Sequence, residues 1–314
     1  MKNLMGKNSG LPLLLSALLL VLGAQFSRAE NQASFATPEA AVTALIAALQ
    51  SNDLAALGGL LGPGSEEIVS SGDEVADATG RADFVADFQA KHQLVPEGEG
   101  TLILEVGEND WPLPIPIVKV DGKWHLDGAA GADELIYRRI GRNELGAIAV
   151  SRGFIDAQFE YAAEGHDGNE PGVFAAKLLS DPGQRNGLYW PTAEGEPPSP
   201  AGSGVARAAA EGYKAVTGKR KPYHGYFYRF LFAQGANAQG GAGEYFVDGL
   251  LTQGVALLAW PADYGASGIM SFMVNHDGVV YQKDFGEETE MEVEKIQIFD
   301  PDSSWSIVES DEES

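Results

Sequence analysis

The densest set of groups able to recognise or transform a ligand is Tyr223-His224-Gly225-Tyr226-Phe227-Tyr228-Arg229. Alternation along an extended chain puts Tyr226 and Tyr228 on one face and Phe227 on the other. Tyr223, His224, Tyr226, Tyr228 and Arg229 could then line an aromatic groove for a glycan or a peptide. The same pattern fits a strand that packs its rings into a core, and both assignments stand at this point. Two acidic loops are a second kind of candidate. His166-Asp167-Gly168-Asn169-Glu170 and Asp300-Pro301-Asp302-Ser303 bunch oxygen donors as calcium loops do, without the twelve-residue EF-hand order. Asp167, Asn169, Glu170, Asp300 and Asp302 are the candidate ligands, with solvated turns as the alternative. Calcium is the cation such loops would hold; no other cofactor is expected.

The remaining chemistry is sparse. His125 and Asp127 would share a face if they alternate along one strand, but two groups do not complete a metal site. Ser203 and Ser267 sit in Gly-Ser-Gly and Ala-Ser-Gly contexts that lack the spacing of a nucleophile elbow. The glycine-rich run from Gly235 to Gly243 fits no nucleotide-binding fingerprint and reads as a hairpin loop. A hydrolase would need His125, Asp127, His224 and Arg229 gathered at one cleft. No reaction follows from the sequence alone.

The elements that must position these groups are legible from periodicity. Thr37-Pro38-Glu39 starts a helix with a cap, a proline at the first helical position and an acid in the first turn. Val42, Leu45, Ile46 and Leu49 then recur at helical spacing. Residues 52–61 predict a second helix ended by Gly62-Pro63-Gly64, and residues 82–92 a third. From Thr101 the period becomes two, with strands over 101–106, 114–120 and 123–127; the prolines place the second at a sheet edge, and Asp121-Gly122 predicts a hairpin turn. A single long helix is expected over 132–164, whose glycines Gly141, Gly146 and Gly153 suggest close packing or a break near Gly141, with a basic face of Arg138, Arg139, Arg142 and Arg152. After a Pro/Gly/Ser-rich loop over 191–204, residues 206–216 predict a helix ahead of the basic cluster Lys219-Arg220-Lys221. Four strands follow over 255–260, 268–274, 279–284 and 296–299, with Asn275-His276-Asp277-Gly278 as a hairpin turn needing two positive φ values.

Charge and composition narrow the function. The 314-residue chain has a formal net charge of -24 and no cysteine, which excludes disulfides, thiol catalysis and cysteine-bound metals. Lys2 and Lys7, the apolar run from Leu11 to Ala24 and the small-x-small site Ser27-Arg28-Ala29 have the form of a secretory signal peptide. Its removal takes away three of the 21 basic residues and none of the 45 acidic ones, leaving 18 against 45, or -27. Such a surface repels nucleic acid and anionic lipid. A periplasmic or secreted location is expected, with no stable membrane span once the leader is gone.

Several longer phrases carry family resemblances. Arg138-Arg139-Ile140-Gly141-Arg142-Asn143-Glu144-Leu145, Ala157-Gln158-x-x-Tyr161, Tyr223-His224-Gly225-Tyr226, Leu258-Ala259-Trp260-Pro261-Ala262-x-Tyr264-Gly265 and Gly278-Val279-Val280-Tyr281-Gln282-Lys283-Asp284 resemble the bacterial family catalogued as domain of unknown function 2950. That resemblance spans nearly all of the chain past the leader and implies no activity. The run from Ala157-Gln158-x-x-Tyr161 through Phe174-Ala175-x-x-Leu178 to Asp277-Gly278-x-Val280-Tyr281-x-x-Asp284-x-Gly286-x-x-Thr289 is similar to the headgroups of type IV pilins and pseudopilins, implying a helix spine wrapped by an antiparallel sheet. Residues 35–128 resemble the cone-shaped domain of the nuclear-transport-factor-2-like superfamily. The expected class is α+β: a signal peptide over 1–29, a helix-plus-curved-sheet domain over 30–131, a long-helix-plus-meander domain over 132–308 and an acidic tail over 309–314. The expected role is that of a non-enzymatic binding or scaffolding protein of the cell envelope, its partner an envelope protein or a glycan or peptide. An envelope hydrolase and a pseudopilin-like assembly factor are the alternatives.

Overall fold

The computed structural model describes residues 32–193, 195–211, 213 and 221–309. The expected signal peptide, Lys219-Arg220 and most of the acidic tail lie outside them. The first part opens with α1 (Pro38–Ser51) and α2 (Leu54–Leu61). Thr37 and Asp53 cap them by accepting from the Ala40 and Ala56 amides, and α1 ends on Asn52 in the left-handed region. A short α3 (Glu66–Val69) precedes α4 (Glu74–Ala90), which starts eight residues before the expected position because Asp73 caps it. Five antiparallel strands follow: β1 (His92–Gly98), β2 (Thr101–Val106), β3 (Trp111–Pro112), β4 (Ile117–Val120) and β5 (Lys123–Leu126), in the order β1-β2-β4-β5 with β3 beside β2. Strand β4 is therefore interior, which corrects the edge placement. Pro114 and Pro116 fall before the ladder begins, and the prolines within edge strands are Pro96, in β1, and Pro112, in β3. The turn Asp121-Gly122 forms as expected, with φ of 52° and 80°.

Leu45, Leu57, Leu104, Ile117 and Leu126 center the first core. At about 1.5–3 kcal/mol for each fully buried aliphatic side chain, this packing outweighs the weak intrinsic preferences of short helices. Asp127 belongs to no strand: it caps α5 (Gly128–Ala163) by accepting from the Ala130 amide, so it does not share a strand face with His125. Helix α5 runs unbroken through Gly141, where nothing lies within 4 Å of an added Cβ. Gly131 is a different case, since a Cβ there would lie 2.6 Å from the Pro114 carbonyl oxygen. The helix thus begins inside the first core, and the expected boundary at 131/132 cuts its first turn. Ala132, Ile136 and Ile140 pack with Ile68 and Ile269 in a small third cluster between the two larger cores.

The second core is a five-stranded antiparallel sheet packed on the rest of α5. Helix α6 (Gly202–Ala210) starts four residues earlier than expected, and β6 (Tyr226–Leu231) opens the sheet. A small hairpin of β7 (Ala233–Gln234) and β8 (Gly243–Glu244) closes the glycine-rich loop, and a second hairpin pairs β9 (Phe246–Val247) with β10 (Leu250–Leu251). Strands β11 (Ala256–Pro261), β12 (Met270–Asn275) and β13 (Val280–Asp284), helix α7 (Thr289–Lys295) and β14 (Ser306–Ile307) complete the fold, in the sheet order β14-β13-β12-β11-β6. Both α5 and α7 pack on β11, every residue of which is buried, consistent with its continuous apolar run. Two expectations fail here. Residues 296–299 are not a strand of the sheet; they leave the end of α7, and Phe299 makes one isolated bridge, to Gln234. The 275–278 turn has positive φ only at Gly278, because the Asn275 side chain accepts from the Asp277 amide and shapes the first half of the turn.

Candidate functional site

The Tyr223–Tyr226 segment is a tight turn closed by two backbone bonds, Tyr223 N–H to Tyr226 O (2.8 Å) and the reverse (3.2 Å). Its central residues, His224 and Gly225, have φ of 51° and 75°, the pairing a type I′ turn demands. A Cβ at Gly225 would collide with the Asn143 side-chain amide of α5, so glycine is required there twice over. A left-handed conformation at a histidine is uncommon and costs about 1 kcal/mol or more. The surroundings hold it. Asp73, 2% exposed, uses one carboxylate oxygen to cap α4 and the other to accept from Gly225 N–H (2.9 Å) and the Tyr213 hydroxyl (2.8 Å). Tyr213 oxygen in turn accepts from His224 N–H at 3.2 Å. The His224 ring meets Glu211 at 2.9 Å, and this pair is the open edge of the site, with side chains 37% and 29% exposed.

Aromatic rings form the floor. Tyr213 and Tyr223 meet edge to face at 4.9 Å, and Tyr223 and His224 at 4.2 Å. Tyr228 lies close enough for Tyr223, Tyr213 and Asp73 to act on its phenol, although burial is the main cause of its strongly raised pKa. Tyr213 is likewise raised, first by burial, with the bond to Asp73 adding to it. The Tyr213 proton is already given to Asp73, which leaves the Tyr228 hydroxyl as the uncommitted donor of the two among the described residues. Among the described residues, the Tyr223 and Tyr228 hydroxyls are sealed from solvent and meet no hydrogen-bond partner. An unpaired buried hydroxyl costs about 1–3 kcal/mol, and two beside an open His–Glu pair form an unfilled set of polar contacts. The cluster can bind polar groups; Ser267, which packs against Gly225, has its hydroxyl engaged by Asp263 backbone atoms.

The other sequence-derived candidates scatter. Tyr226 is fully buried and donates its hydroxyl to Met270 O at 2.8 Å; it belongs to the core, so the groove does not form as a row of alternating tyrosines. Arg229 lies over the Trp260 ring and donates to the Val293 and Ile296 carbonyls at the end of α7. His125 is buried against Ala33 O (3.1 Å) in the first core, and Asp127 caps α5. His125, Asp127, His224 and Arg229 thus serve separate local structures, and the cleft that a hydrolase would need is not formed by them. Ser267 is fully buried and bonded to Asp263 backbone atoms.

The acidic loops act as turn acceptors. Asp167 takes the Arg185 amide, and Asp300 takes the Asn237 backbone and side-chain N–H groups. Asp302 takes the Ser304 amide and hydroxyl, bonds that hold its carboxyl below the usual range. Asn169 and Glu170 lie on the half-exposed and exposed surface of the first loop. Among the described residues, no group of three or more His, Cys, Asp or Glu is placed to hold a metal ion. No helix among them is long and apolar enough to cross a membrane.

Asp73, Tyr213 and Glu211 escape sequence reasoning. Asp73 lies ahead of the helix expected from 82, and its bonds to Tyr213 and Gly225 span 140 and 152 residues. The recurring phrases are more informative, since their polar residues turn out to be fasteners. Asn143 donates to Ser267 O, Glu144 accepts from the Ile269 and Met270 amides, and Gln158 makes a two-bond clasp with Ala175. No curated protein and no solved structure matches the chain, so the pilin-headgroup and nuclear-transport-factor-2-like likenesses rest on sequence features. A family model covers residues 32–308, and the chain belongs to the family it describes, Protein of unknown function (DUF2950).

Proposed function

We propose that the protein is an exported, non-enzymatic binding protein of the cell envelope, and that it takes its ligand at the Tyr-His-Gly turn. The observation that carries this reading is the pair of sealed hydroxyls of Tyr223 and Tyr228, unpaired among the described residues, beside the partly open His224–Glu211 pair. A ligand entering at the His224–Glu211 edge must turn those sealed phenols toward itself, and its hydroxyl or carbonyl oxygens then recover the cost of leaving them unmade. A glycan or a peptide backbone has that chemistry, and aromatic rings suit the apolar face of either. The location rests on the leader-like features of residues 1–29 and on the acidity of the chain, which disfavours nucleic acid as a partner.

The test is a thermal-unfolding and calorimetric panel on the purified chain lacking residues 1–29, with N-acetylglucosamine oligomers and oligoalanine peptides as probes. One class is expected to raise the melting temperature by mass action, and Tyr228→Phe to abolish the rise without lowering basal stability. Equal responses from wild type and Tyr228→Phe would sink the proposal.

A further inference from the structure

Away from the tyrosine turn, the second core carries an exposed apolar patch. In the β9–β10 hairpin Val247 and Leu250 are register partners, hence on one face, and remain 46% and 38% exposed; Phe246, the partner of Leu251 on the other face, packs on the Phe232 ring and is still 39% exposed. The hairpin is joined to α5 through Phe174, whose amide bonds to Leu251 O and whose ring packs at 5.7 Å on Phe159, itself 50% exposed. Single exposed apolar residues are ordinary, but a run shared by a hairpin tip and a helix face has the character of an interaction surface. The hairpin is well made, with Asp248-Gly249 at φ of 51° and 81° and Leu251 buried beneath it, so these side chains are displayed by a formed element.

The charges around the patch select the partner. Asp156 and Glu160 flank Phe159 on the exposed face of α5, and Glu244 and Asp248 flank the hairpin's apolar residues; all four are exposed. Arg152, one turn before Asp156, is the basic residue on the same stretch of helix. An apolar center with an acidic rim complements a segment with apolar anchors and flanking lysine or arginine, and repels both a second copy of this acidic chain and anionic lipid. We infer that the β9–β10 hairpin and the adjoining face of α5 dock a basic amphipathic segment of another protein.

The probe is a labelled amphipathic helical peptide of leucine and lysine, titrated with the leaderless chain by fluorescence anisotropy. Saturable binding is expected, weaker at high salt, and about tenfold weaker for the double variant Val247→Ser, Leu250→Ser, which leaves the net charge unchanged. Met291→Ser, which removes an exposed apolar residue of α7, is the control and is expected to bind like wild type. Wild-type affinity in the double variant, or equal loss in the control, would overturn the inference, because attraction would then be to general acidity. Sedimentation that shows a dimer lost only in the double variant, or binding to neutral phosphatidylcholine vesicles lost in the same way, would also overturn it and assign the patch to self-association or to a membrane.

Discussion

The two sheets of the molecule treat buried polar atoms differently. Around the first, they are paired within the protein: Gln32 donates to the Leu60 and Leu126 carbonyls, the Ser65 hydroxyl donates to Gly62 O, and the His125 ring meets Ala33 O. Around the second, Ser199 Oγ, the Tyr223 and Tyr228 hydroxyls, Ser271 Oγ and His276 Nδ1 are buried without a partner, and among the described residues no such atom lies before Ser199. A fold that pairs its polar groups throughout one half and leaves several unmade in the other has concentrated its capacity for recognition in the second. Asp73 is where the halves meet, since a residue of the first part carries the bonds that hold the Tyr-His-Gly turn of the second.

Variants that break this contrast should differ widely in size of effect. Phe272→Ala, at a fully buried ring of the second core, is expected to cost about 3–5 kcal/mol in denaturant unfolding. A single cooperative transition is expected as well, because α5 and its Ile136–Ile140 cluster join the cores; two separated transitions would show that the halves unfold independently. Asp73→Ala removes a helix cap and strands the Tyr213 hydroxyl and Gly225 amide, for a loss of about 3 kcal/mol. It should also free the tyrosine turn, detectable as faster amide exchange at His224 and Gly225. Tyr228→Phe removes a hydroxyl that has no partner among the described residues, so stability should be unchanged or higher by up to about 1 kcal/mol; a clear destabilisation would mean that the hydroxyl is structural. Smallest of all is the response to calcium. The carboxylates of Asp167, Asp300 and Asp302 already accept bonds, from Arg185, Asn237 and Ser304, and millimolar calcium added after EDTA is expected to leave the melting temperature where it was. A rise of several degrees would restore the loops as a cation site.

Much of the fold was legible because local chemistry and final position agree. Thr37-Pro38 starts α1, Asp121-Gly122 turns the hairpin, and the apolar run at 256–261 is a buried strand. The failures share a cause, a tertiary contact that outvotes the local pattern. Ile296 and Ile298 alternate as in a strand, yet the Arg229 guanidinium binds the last carbonyls of α7 and the chain departs from the sheet there. Three glycines in α5 suggested close packing or a break, and the helix is continuous past Gly141: Ile136 and Ile140 before it pack with Ile68 and Ile269, and Asn143 and Glu144 after it bond to Ser267, Ile269 and Met270 backbone atoms. An edge strand with a proline exists in β1, where Pro96 and the irregular register before Gly98 occur together. For the site, the motif Tyr-His-Gly-Tyr was visible, while its purpose was not: alternation predicts that Tyr226 and Tyr228 act together, whereas the turn puts Tyr226 in the core and brings Asp73, Tyr213 and Glu211 to the remainder. Nothing in the spacing of those three residues signals that meeting.

The most direct test of the central claim is a crystal structure of the leaderless chain grown with whichever probe raises its melting temperature. The account predicts the probe's oxygens within hydrogen-bond distance of the Tyr223 and Tyr228 hydroxyls, with the His224–Glu211 pair at its exposed side. A probe bound elsewhere, with both hydroxyls paired to protein atoms, would contradict it.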